Sequence, residues 1–215
     1  MLSIHKIFQT YRPPMTKVYS FEGLVPVIMP GAFVHPDAVL IGDVVISSRC
    51  FIGPCAVLRG DFGRIEIHEG ANVQDNCVVH SFPGRSVIVE EDGHIGHAAV
   101  LHACTIRRNA VVGMNSTVMD NAVVGESAFV AANSLVKAGF EVPDHTLVAG
   151  VPAKIIKEMG AAEIKWKSMA TKEYQNLAQR SLATMKSVEA LTEEEPDRPK
   201  AAEKEHVKPL SELKG

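Results

Sequence analysis

Aromatic residues are scarce, 6% of the 215 residues with one tryptophan, so aliphatic side chains must fill any core. No uninterrupted apolar run approaches the ~18 residues that a membrane-spanning helix needs, and no membrane is expected as a partner. Charge of either sign is not in excess: 22 Lys+Arg stand against 25 Asp+Glu, a formal net charge of -3 at pH 7. There is thus no basic footprint for nucleic acid or anionic lipid. The four cysteines (Cys50, Cys55, Cys77, Cys104) show no C-x-x-C spacing, and the first fourteen residues lack the continuous apolar stretch of a secretory signal. A reducing cytoplasm is expected in preference to a disulfide scaffold. What is present is a globular composition, 46% hydrophobic and 22% charged, at the length of one domain, with nine histidines.

A six-residue beat organises the chain. Val34, Leu40, Ile46, Ile52 and Leu58 are six apart, each with a small or β-branched residue two positions earlier: Ala32, Ala38, Val44, Cys50, Ala56. The beat returns at Val73 and Val79, passes through Val89, Ile95 and Leu101, and runs from Ile106 to Val136. A helix would repeat at 3.6 and a half-buried strand at 2. Six instead describes a three-sided prism, one short strand and a turn per side, whose coils stack ~4.8 Å apart. The predicted fold is all-β, a left-handed parallel β-helix, followed by a C-terminal helix. Cys50, Cys77 and Cys104 fall in the small inward slots and read as packing thiols; Cys55 falls off that column.

The expected organisation is a flexible leader over 1–17, with Met15 a candidate natural start, the β-helix over 18–152, a helical segment over 153–190, and a charged, disordered tail over 191–215. Within the helical segment, 161–166 reads as a short helical turn and a second helix is expected from Thr171, with Glu173 in its first turn. Tyr174, Leu177, Ala178, Leu182, Met185 and Val188 would form one apolar stripe along the outside of the prism.

The histidines carry the functional signal. His80 follows inward Val79 and His102 follows inward Leu101, so both face outward at equivalent places. They are 22 residues apart, one coil of 18 plus four, and the segment 81–86 holds the surplus. Removing it stacks the two imidazoles on adjacent coils, where both can reach one ion at ~2.0–2.1 Å. His97 lies on another part of the coil and cannot bend round to its own His102. In a homotrimer of side-by-side prisms a neighbour supplies it, giving three imidazoles and an open position at each interface. His94 competes for the ligand role, but Glu91, Asp92 and Gly93 make it a loop or outer residue. His35, His68 and His145 read as surface residues, and His5 and His206 lie in the ends. Arg59 and Asp61 stand in the column of His80 and suit an ion pair near a subunit boundary. Gln74 follows inward Val73, with an amide able to hold a water, and Asp75 comes next.

Leu58-Arg59-Gly60-Asp61, Asn72-Val73-Gln74-Asp75-Asn76, Val79-His80 and the Gly96-His97…His102 spacing resemble the γ-class carbonic anhydrase family over roughly residues 18–190. Phe21 to Leu24, Arg59 to Arg64, Asp92 to His97 and Gly113-Met114-Asn115 resemble its branch of phenylacetic acid degradation and carnitine operon proteins. The resemblance implies a trimer with Zn2+ (Fe2+ or Co2+ as the other metals) held by His80, His97 and His102. It also implies that Gln74 orients the metal-bound water, and that Arg59 pairs with Asp61 at the interface with Asp75 in support. This sequence departs from the family pattern in lacking a carboxylate over 81–86, and Phe62 replaces another acid. Slow CO2 hydration is therefore expected.

The implied reaction is attack of metal-bound hydroxide on an electrophilic carbonyl. It would act on an acyl-CoA thioester in a catabolic pathway such as phenylacetate or carnitine, or on CO2 to give bicarbonate. Two alternatives stay open: a metal-free hexapeptide acyltransferase using a histidine base, and a non-catalytic trimeric accessory protein.

Overall fold

The computed structural model describes residues 16–200. The expected start at Met15, most of the leader, His5, His206 and the tail beyond 200 lie outside the described residues. Among the described residues, twenty short strands are followed by one helix, α1 (Ala161–Thr184).

The strands wind as a parallel β-helix. One face is an eight-stranded sheet running from Phe33–Val34 through Asn72–Val73, His94–Ile95 and Val111–Val112 to Thr146–Ala149. Its last strand, Lys154–Glu158, pairs antiparallel and caps the final coil. A twelve-stranded sheet forms the other two faces. It is continuous because Val39–Ile46 and Val57–Ile67 run round the corner between them. The first strand begins at Lys17, which pairs with Val39.

The inward residues are those of the six-residue beat. Leu40, Ile46, Ile52, Leu58, Val73, Val79, Ile95 and Leu101 are fully buried, as are the small residues Ala38, Cys50, Ala56 and Cys77 beside them. Ile65 and Ile67 join this core although they fall outside the beat, because the step from Leu58 to Ile67 is nine residues. Burial pushes the Cys50 and Cys104 thiols up to about 12 and Cys77 to about 11, so these cysteines are packing groups without thiolate chemistry. Sharp corners demand left-handed backbone. Asn76, Asn109, Asn115, Asn121 and Asn133 supply it with φ between 56° and 60°. Cys55 lies off the inward column because it occupies such a corner, at φ 59°.

The C-terminal segment corrects the expected turn and second helix. Residues 161–184 form one continuous helix whose start is capped by Glu163, its Oε2 accepting from the Gly160 N–H at 3.0 Å. Thr171 and Glu173 lie in its middle. Tyr174, Leu177 and Ala178 pack on Phe33 and Phe51 as the stripe requires. Leu182 is exposed, and Met185 and Val188 lie beyond the helix end. The face that α1 buries is instead Lys167, Thr171, Gln175, Ala178 and Ser181. The reason is its partner surface. Apart from Phe33 and Phe51, the outer surface that α1 covers is made of polar turns, so most of the helix face laid on it must match polar groups.

Lys167 shows how. Its Nζ donates to the Asp92 carbonyl and to Asn109 Oδ1 (2.9 Å), while Gln175 Nε2 donates to Asp92 Oδ1 (2.7 Å) and the Gly70 carbonyl (3.2 Å). Burial pushes the Lys167 pKa down from 10.5 to about 7, with the charge of Asp92 opposing the shift. The unfolded chain then binds more protons than the native one between these values, so this group's contribution to stability rises with pH across that window. The melting temperature of the natural chain relative to Lys167→Met should therefore climb from about pH 7 to about pH 10. A flat difference would mean that the ammonium stays charged under the helix.

Candidate metal centre

One corner of the prism departs from the regular beat. It joins the face of Leu40, Leu58, Val79 and Leu101 to the face of Ile46, Ile67, Val89 and Ile106. Arg59, His80 and His102 are stacked at its entrance: Arg59 pairs with His80 and His80 with His102 in consecutive coils. The expected register is the observed one. The imidazole centroids are 5.2 Å apart, and His80 Nδ1 lies 3.2 Å from His102 Nε2.

Each ring is held from its far side by a carboxylate. His80 Nε2 is 2.9 Å from Asp61 Oδ1, and His102 Nδ1 is 2.7 Å from Asp120 Oδ1. An ionised carboxylate only accepts, so the ring protons sit on His80 Nε2 and His102 Nδ1. With both rings neutral, the facing nitrogens, His80 Nδ1 and His102 Nε2, would both be lone pairs, and at 3.2 Å such a pair needs a proton or a cation between them. Arg59 completes the line, its guanidinium donating to Asp61 Oδ2 at 2.6 Å. Desolvation pushes the Asp61 carboxyl up, but hydrogen bonds from Arg59 and His80 outweigh it and hold its pKa below the ordinary value.

His97 stands at a different corner, after the His94–Ile95 strand of the eight-stranded face. Asp75 Oδ2 lies 2.9 Å from its Nδ1, and its Nε2 lies 3.5 Å from the Tyr174 hydroxyl. Asp75 therefore does not support the Arg59–Asp61 pair within the chain. It sits one coil above His97, whereas Arg59 and Asp61 follow another face.

Among the described residues, no group of three or more His, Cys, Asp or Glu converges within one chain. The donor chemistry nevertheless suits a metal. Two nitrogens at ~2.0–2.1 Å from a tetrahedral ion stand about 3.3–3.4 Å apart, close to the 3.2 Å between His80 and His102. The carboxylate behind each of the three imidazoles is the usual support of a metal-bound histidine.

Gln74 and His94 belong to a third group. Gln74 is buried, its Nε2 donating to Asn72 Oδ1 (2.9 Å) and His94 Nε2 (2.8 Å). His94 starts a strand rather than a loop. It is covered by α1, with Thr171 Oγ1 at 3.3 Å from Nδ1 and the Tyr174 ring edge-on at 5.3 Å. Burial pushes its pKa down to about 3, aided by the charges of Lys167 and His97, so it is a neutral hydrogen-bonding residue. Sequence reasoning missed Asp120, Tyr174 and Thr171. Asp120 had a signal, lying 18 residues after His102; the other two are brought in by α1 and had none.

The description "Bacterial transferase hexapeptide (six repeats)" matches residues 26–60. The carnitine operon protein CaiE of Salmonella typhimurium is 49% identical over 193 residues, covering 90% of this chain and 98% of that protein. CaiE of Salmonella agona is 48% identical over the same lengths. Among solved structures, a hexapeptide transferase family protein from Anaplasma phagocytophilum is similar at 40% identity and a TM-score of 0.74, over 76% of this chain and 97% of that one. A Bacillus cereus protein named as an acetyltransferase is similar at 34% identity and a TM-score of 0.77, over 78% and 98%.

Proposed function

Because this chain belongs to the hexapeptide-repeat family of the carnitine operon proteins CaiE, we propose that it is a trimeric, metal-dependent hydrolase or hydratase of γ-carbonic-anhydrase type. The observation that carries the reading is the facing pair of ring nitrogens, His80 Nδ1 and His102 Nε2, 3.2 Å apart, each ring backed by a carboxylate. His97 of a neighbouring chain, backed by Asp75, is the third ligand. A bound Zn2+, Fe2+ or Co2+ supplies a Lewis acid and an acidified water at neutral pH.

The chain's own groups do the rest. Asp61, Asp120 and Asp75 fix the tautomers that leave one nitrogen of each ring free. Arg59 keeps Asp61 ionised and aimed at His80. The Gln74 amide, held in place by Asn72 and His94, is the group that orients the water. An acyl-CoA thioester is the favoured electrophile and CO2 the second, since 81–86 offers no carboxylate to export a proton at each turnover. The reading includes a cytoplasmic location, for which the buried free thiols speak. No helix among the described residues is long and apolar enough to cross a membrane.

A metal-free acyltransferase is the second reading, favoured by the similarity to the Bacillus cereus acetyltransferase-named structure. Metal analysis of the purified protein, with CO2 hydration and acyl-CoA hydrolysis followed against buffer concentration, separates the two. We expect about one metal ion per chain, thioester hydrolysis with little buffer dependence, and weak CO2 hydration that rises with added imidazole. A metal-free protein that passes the acyl group to an amine or hydroxyl acceptor would overturn the hydrolytic reading.

A further inference from the structure

The corner after His80 is built unlike any other. Around it the step between inward residues is six from Leu40 to Ile46, nine from Leu58 to Ile67 and ten from Val79 to Val89. It then falls to five from Leu101 to Ile106 and returns to six from Val118 to Val124. Two adjacent coils thus carry extra residues at one corner, directly beyond Arg59 and His80, and the coil of His102 is cut short.

The two excursions are joined to one another. The Gly84 N–H donates to the Phe62 carbonyl at 3.4 Å, and within the second excursion the Ser81 hydroxyl donates to the Arg85 carbonyl at 2.6 Å. Gly63 lies so close to the Arg85 carbonyl that a Cβ would stand 1.7 Å from its oxygen, which leaves room only for glycine. Each excursion presents one large apolar side chain at the surface of its own chain: Phe62 is 53% exposed there and Phe82 57%. The Phe62 ring is 5.3 Å from the His80 ring. In a chain with 6% aromatics, a phenyl ring packed beside His80 and a second one two residues after His80, on tied excursions, mark a binding surface.

We infer that Phe62 and Phe82 form an apolar shelf beside His80 and His102, selecting thioesters whose acyl group is an alkyl or aryl chain of several carbons over CO2 or an acetyl group. This rests on the hydrolytic reading of the same site. CO2 has no group to lay on the shelf. A longer acyl chain covers the rings while its carbonyl stays at the histidines.

The test uses hydrolysis-resistant thioethers, S-hexyl-CoA and S-ethyl-CoA, titrated calorimetrically into the trimer, with hydrolysis of hexanoyl- and acetyl-CoA measured in parallel. The natural protein should bind the hexyl compound about tenfold or more tightly than the ethyl one. Phe62→Ala and Phe82→Ala should each remove most of that preference, Phe62→Leu should keep it, and metal content should stay unchanged. Equal binding of both thioethers by the natural protein would overturn the shelf. So would a chain-length preference that survives both alanine variants, or alanine variants that break the trimer instead of weakening the ligand. Shelf-dependent binding without hydrolysis of either thioester would leave the shelf standing and count against the hydrolytic reading alone.

Discussion

His102→Ala should lose its metal while the β-helix stays folded. The ring stands outside the prism on the residue after Leu101, and the fully buried Leu101 side chain carries the packing of that coil. Removing an imidazole from the outer surface leaves the core untouched, so stability should shift by no more than about 1 kcal/mol. Metal affinity should fall by well over the ~10–100-fold typical of a lost supporting group, because a ligand itself is gone. Asp120→Asn gives the comparison. It keeps His102 but replaces the carboxylate that fixes the Nδ1–H tautomer at 2.7 Å, and should cost ~10–100-fold. Elemental analysis with circular dichroism checks both variants. If the 3.2 Å contact of His80 and His102 were only a hydrogen bond between rings, with a proton on one of the facing nitrogens, metal content would be the same in all three proteins.

Most of the fold was legible because a β-helix is a one-dimensional repeat, in which each inward side chain meets its equivalent one coil away. The positions from Val34 to Leu58 announce this directly, and the stacking of His80 on His102 follows from counting residues. The count failed at Ile65 and Ile67, where nine residues separate Leu58 from Ile67 in place of the regular six. Spacing does not tell an excursion from a lost coil. The helix was misread for a physical reason: only Tyr174, Leu177 and Ala178 of the stripe find an apolar surface, on Phe33 and Phe51, and the rest of the outer face under α1 is made of polar turns. Lys167, Thr171 and Gln175 face it instead, satisfying Asp92, Asn109, His94 and the Gly70 carbonyl. His94 was hidden in the same way. Its neighbours Asp92 and Gly93 form a corner, with Asp92 at φ 58°, and what buries the ring is Thr171, 77 residues later in the chain. No periodicity reports a contact of that separation. Asp75 shows the limit of column counting, since Arg59 and Gln74 hold similar places in their hexapeptides yet lie on different faces of the prism.

The central claim is that one metal site needs His80 and His102 from one chain and His97 from its neighbour. It predicts complementation between two defective chains. His97→Ala and His102→Ala should each purify without metal. When the two are unfolded together and refolded as an equal mixture, interfaces that combine an intact His80–His102 pair with an intact His97 should form by chance at about a quarter of positions in a trimer. Metal content should rise from near zero to about a quarter of the natural value, and hydrolytic activity with it. A mixture that stays as empty as its two components would contradict the shared site, as would full metal occupancy in the His97→Ala protein alone.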